Sequence, residues 1–113
     1  MKKYLLLLLL FAAFTTQAQV PNTLSAADKV YGLSKFWQEV NYNFVYLDKV
    51  DRSKWENAYR EAITTVQQTK NDYEYYRELQ KFCALLNDGH TNIYMPKSID
   101  SLVHRNTFGK YKI

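Results

Sequence analysis

The chain has 113 residues, a net charge of +4, a single cysteine and an aromatic share of 16%, with ten tyrosines and two tryptophans. One cysteine excludes an internal disulfide, so stability must come from apolar burial, to which the large amphipathic rings contribute. Cations alternate with acids along the sequence and form no basic stripe, which argues against a nucleic-acid surface.

Lys2 and Lys3 precede an apolar run from Tyr4 to Phe14, and Thr15 to Gln19 is polar. The run is well short of the roughly 20 residues a membrane-spanning helix needs, and it fits the apolar region of a secretory signal. Thr16 and Ala18 stand at the −3 and −1 positions of a cut before Gln19. Residues 1–18 therefore read as a cleavable signal that sends the protein to the periplasm or the extracellular space. No cysteine lies near the cut, so no lipid attachment and no stable membrane anchor are expected after cleavage. Removing 18 of the 113 residues leaves 95, and losing Lys2 and Lys3 lowers the charge from +4 to +2. That length suits one small domain with one core.

The expected fold class is mainly α: a three-helix bundle over residues 19–96, followed by a short β-strand or the start of a hairpin. The first helix begins near Ser25, with Asp28 in its first turn. Val30, Leu33, Trp37, Val40 and Phe44 form its apolar stripe, while Lys29, Lys35, Gln38 and Glu39 lie off it. It should stop between Phe44 and Leu47. Ser53-Lys54-Trp55-Glu56 has the spacing of a capping box and opens a second helix, with Trp55, Tyr59, Ala62 and Val66 on its buried face. Asn71 caps a third helix, which buries Tyr75, Tyr76, Leu79, Phe82, Cys83 and Leu86 and ends at Gly89 as a left-handed residue. Thr91 to Met95 alternates like a strand, and Pro96 stops it. Residues 97–113 read as the incomplete start of a following segment, with one helical turn around Ile99, Leu102 and Val103 and an incipient strand from Thr107 to Ile113.

No Gly-rich phosphate loop, CxxC pair or HExxH helix is present, so neither a cofactor nor a metal is implied. Cys83, between apolar neighbours, reads as a small buried side chain. The serines at 25 and 53 read as caps, and no serine has the tight glycine-flanked turn of a nucleophile. One constellation remains, Leu86-Asn87-Asp88-Gly89-His90-Thr91. His90 would project from a rigid helix-ending corner, where Asp88 can accept from a backbone donor, hold the turn or orient a ring nitrogen. On spacing alone the stronger reading is ordinary helix-capping chemistry at Asn87, Asp88 and Gly89, with His90 merely packing or bonding to the strand. The tyrosines at 42, 46, 73, 75 and 76 either edge the core or line a peptide groove.

Leu33-Ser34-Lys35-Phe36-Trp37-Gln38-Glu39-Val40-Asn41-Tyr42-Asn43-Phe44 resembles the opening helix of exported bacterial serine peptidases of the tricorn and C-terminal-processing family. The resemblance continues through Tyr73-Glu74-Tyr75-Tyr76-Arg77-Glu78-Leu79 and ends in Leu86-Asn87-Asp88-Gly89-His90-Thr91, covering most of residues 25–96. It implies an N-terminal helical region ahead of a catalytic core of sheets and helices, often with a peptide-binding PDZ-like domain between them. In the tricorn-like branch a histidine after the helical region is the general base, and His90 occupies that position. Gly89 stands where that branch has a serine. The C-terminal-processing branch uses a serine–lysine dyad that would lie beyond Ile113, and His90 would then be structural. Either branch implies a peptide or protein substrate bound through the later core, which supplies the nucleophile, so this chain alone is not expected to hydrolyse peptides. The alternative is a stand-alone exported helical module that binds a peptide or protein without chemistry.

Overall fold

The first helix, α1 (Ala26–Asn43), is fixed at its start by a reciprocal capping box. The Ser25 hydroxyl accepts from the Asp28 N–H at 3.1 Å, and the Asp28 carboxylate accepts from the Ser25 N–H and hydroxyl. The computed structural model describes residues 19–108, so the export signal expected in residues 1–18 lies outside the described residues. A single 3-10 turn, Leu47–Lys49, leads from α1 to α2 (Arg52–Gln67). Asp51, not Ser53, caps α2, its carboxylate accepting from Lys54 N–H at 3.1 Å. The 3-10 turn ends at Val50, and a carboxylate at the next position satisfies the first free N–H groups and meets the positive helix end. Arg52 and Ser53 thereby join the helix. Helix α3 (Asp72–Ala84) is capped by Asn71, whose side chain accepts from Glu74 N–H at 2.9 Å.

Helix α1 packs on α2 and α2 on α3. The expected stripes supply the core: Leu33 and Val40 from α1, Trp55 and Val66 from α2, and Tyr75, Leu79 and Phe82 from α3, with Leu86 just beyond it. Aromatic rings join the three helices. Trp55 stacks on Phe82 with centroids 4.2 Å apart, Phe36 meets Phe82 edge-on at 5.9 Å, and Trp37 stacks on Tyr59 at 4.7 Å. The last turn of α3 is thus held from both other helices, and that turn carries the Asn87–Thr91 corner.

Lys29 departs from its expected place off the stripe: it is buried, with Nζ donating to the Thr69 carbonyl at 3.0 Å. Its long stem lies in the apolar interior while its charged head finds a carbonyl at the α2–α3 loop. The Lys29 carbonyl in turn accepts from the Tyr75 hydroxyl at 3.0 Å. Gly32 makes room for that bond, since a Cβ there would overlap the hydroxyl.

The end of α3 also differs from expectation. Leu85, Leu86 and Asn87 donate N–H bonds three residues back, to Phe82, Cys83 and Ala84, which tightens the chain after the helix. Asn87 then takes the left-handed conformation, φ 51°, that was expected of Gly89. Asn tolerates this region better than other side-chain-bearing residues, so the chain turns two residues earlier.

No strand or hairpin forms among the described residues, so the expected strand at Thr91–Met95 is not formed. Exposure still alternates there, with 91, 93 and 95 half-buried and 92 and 94 exposed. A strand requires a second backbone, and the carbonyls of Thr91 and Ile93 instead meet side chains of α3. Residues 97–108, expected to give one turn before a strand, form the helix α4 (Lys97–Phe108), which packs on α3. The Pro96 carbonyl starts it by accepting from Ile99 and Asp100 N–H, both at 3.0 Å, and Ile99 is buried. The expected strand start at Thr107 thus falls in a helix as far as Phe108, and residues 109–113 lie outside the described residues.

Candidate functional site

The corner that follows α3 is braced from two sides. From within, one Asp88 carboxylate oxygen accepts from the His90 backbone N–H at 3.3 Å and the other from the Thr91 hydroxyl at 2.6 Å. The Asn92 amide closes the same turn by donating to the Gly89 carbonyl at 3.3 Å. From α3, Cys83 Sγ donates to the Thr91 carbonyl at 3.3 Å and Gln80 Nε2 donates to the Ile93 carbonyl at 3.0 Å. Gln80 and Cys83 are three residues apart, so they share one face of α3. The sequence pattern marks Cys83 for burial only and gives Gln80 and Asn92 no role at this corner.

His90 is exposed at the tip of this corner. Asp88 grips its backbone, so the carboxylate orients the loop that carries the imidazole. Gly89 is exposed and has open space at its missing Cβ. Two open grooves meet at Asn87 and Asp88. One, of about 420 Å³, runs between α3 and residues 91–93 past Gln80 and Cys83. The other, of about 340 Å³, is lined by Phe44, Tyr46, Lys49 and Leu86. Lys49 Nζ sits 4.7 Å from the Tyr46 ring centre, a cation–π contact on its wall.

No serine lines either groove among the described residues. Ser25 is engaged in its capping box, Ser34 shares a 2.9 Å hydrogen bond with the Tyr59 hydroxyl, and Ser53, Ser98 and Ser101 are exposed. The Cys83 thiol is buried, which pushes its pKa up and disfavours the thiolate. The corner therefore presents an imidazole and hydrogen-bonding walls, and among the described residues no serine lines either groove.

The Thr91 hydroxyl, and after it the His90 N–H, holds the Asp88 carboxyl below its ordinary range. A lowered folded-state pKa means that its contribution to loop order is present above the unfolded value and is lost as pH falls through the lowered one. The Asp88 carboxyl carbon should therefore titrate with a midpoint below that of an ordinary aspartate when followed by carbon NMR. Thr91→Val should move the midpoint upward toward the ordinary carboxylate range. An unchanged midpoint in that variant would contradict the brace.

No family model, curated protein or solved structure matches the chain.

Proposed function

We propose that this chain is the N-terminal helical portion of an exported serine-type peptidase, in which His90 is the general base and the nucleophilic serine comes from sequence outside the bundle. The observation that carries the reading is the braced corner: a packed helix ends in a turn whose carboxylate is spent on the loop, leaving His90 exposed. A general base must reach the proton it removes, and a rigid mount lowers the cost of reaching it. In peptide hydrolysis the imidazole would take the serine hydroxyl proton and later return it to the leaving amine. An exposed histidine favours the histidine-based branch over one that uses a serine–lysine dyad.

The test is made on the natural gene product, captured from its own cells with an antibody raised against the bundle. A fluorophosphonate, which reacts with activated serines, should label the captured protein. His90→Ala at the native locus should slow that labelling about 10²–10⁴-fold. A captured protein that does not label, or that labels equally fast without His90, would overturn the proposal. A second reading, an exported module that binds a protein without chemistry, is favoured by the exposed Tyr42, Val45 and Tyr46 at the end of α1. Absence of labelling is the result it predicts.

A further inference from the structure

Residues 91–95 form no strand, yet they share two features with one. Their exposure alternates with period two, and the carbonyls of Thr91 and Ile93, two residues apart, both meet α3 through Cys83 and Gln80. In an extended chain the backbone groups of alternate residues point to opposite edges. An extended path would turn the N–H and C=O groups of Asn92 and Tyr94 away from α3, and these groups make no hydrogen bond among the described residues. We propose that this edge takes up an extended peptide by strand addition immediately beside His90; that the peptide is a substrate rests on the peptidase reading, whereas the pairing does not.

The chemistry of the edge selects its occupant. Donors and acceptors repeating about every 6.7 Å, twice the strand rise, match another extended backbone. A helix has already paired its own backbone groups and cannot meet them. Natural sheets blunt an open edge with lysine, proline or a bulge, because an unprotected edge pairs with whatever strand it meets. Here Thr91-Asn92-Ile93-Tyr94-Met95 carries neither charge nor proline, and Pro96 and Lys97 come only after it. The opposite edge is occupied by α3, so pairing is possible on one side alone. Tyr94, in the middle of this stretch, is 83% exposed. A strand seated there would run past Thr91 to His90, which brings its backbone to the exposed imidazole.

The test uses the full chain and a blocked peptide of alternating threonine and valine. Amide exchange of Asn92 and Tyr94, read by NMR, should be fast in the free chain and should slow when the peptide is added. The same peptide N-methylated on every second residue, in the register facing the edge, should bind about tenfold more weakly, as expected for losing two backbone hydrogen bonds. Methylation in the other register should weaken binding less. Tyr94→Pro, which removes one donor, should weaken binding about threefold more than Tyr94→Ala, which removes only the ring. The inference is overturned if either amide is already protected without peptide, if neither slows at saturating peptide, or if the two methylation registers are equivalent. Each of these results leaves the fluorophosphonate experiment unaffected, so the two proposals fail separately.

Discussion

Trp55→Ala is expected to lower the unfolding free energy by about 3–5 kcal/mol, as for large-to-small changes of buried aromatic residues. Trp55 is 1% exposed, stacks on Phe82 and is the largest fully buried side chain in the core. Its loss would remove the apolar area of an indole and leave Phe82 without its facing ring. Small domains have only about 5–15 kcal/mol of stability in total, so the variant should be marginal or unfolded at ambient temperature. Urea unfolding followed by far-UV circular dichroism measures the change. Trp55→Phe separates packing from hydrogen bonding. The indole N–H is buried with no partner among the described residues, so phenylalanine gives up volume but also removes an unsatisfied donor. Its cost should be about 1–2 kcal/mol. Equal losses in the two variants would mean that the ring's volume is not what the core requires. Because Phe82 lies one turn before Leu86 and Asn87, the cavity should also loosen the corner that carries His90.

The parts of this fold that sequence patterning anticipates are those decided within a few turns. Leu33 and Val40, Trp55 and Val66, and Leu79 and Phe82 recur at helical spacing and are buried together, because 3.6-residue periodicity and burial are one constraint. The Ser25 and Asn71 caps are equally local. The features that sequence does not disclose depend on distant partners. Lys29 looks like a solvated cation until the Thr69 carbonyl, 40 residues on, comes within reach. Thr91 to Met95 alternates as a strand does, but a strand is a property of two segments, and the chain sets α3 side chains against this one. Residues 97–108 have a sparse apolar pattern, yet one buried residue, Ile99, and the Pro96 carbonyl are enough to start a helix against α3. At the site, the Asn-Asp-Gly-His-Thr run discloses a turn with a histidine. Which residue turns left-handed, and that Gln80 and Cys83 hold the far side, depends on how α3 ends.

The second large effect lies at the other end of α3. Asp72 is 3% exposed and accepts from the Thr23 hydroxyl at 2.6 Å, from Thr23 N–H at 3.0 and 3.2 Å and from Leu24 N–H at 3.3 Å. Its own N–H donates to the Pro21 carbonyl at 2.9 Å. One carboxylate thus ties the segment ahead of α1 to the first turn of α3, where the helix dipole also favours a negative charge. Asp72→Ala would leave two backbone donors and a hydroxyl without their acceptor. Each such group costs about 1–3 kcal/mol while it stays buried, but the segment can peel away and rehydrate, which limits the total to about 2–4 kcal/mol. Thr23→Val removes one hydroxyl bond and should cost about 1 kcal/mol. The urea midpoint reads both, and protease cleavage within residues 19–24 should speed up in Asp72→Ala. A loss below 1 kcal/mol with unchanged cleavage would mean that the clamp is incidental. The clamp and the His90 corner are separated by the length of α3, about 18 Å along its axis, and share no hydrogen bond. Asp72→Ala should therefore leave the Asp88 titration unchanged while the chain is folded. A shifted Asp88 midpoint would mean that α3 transmits strain from one end to the other, so the corner would depend on the whole helix and not on its last turn.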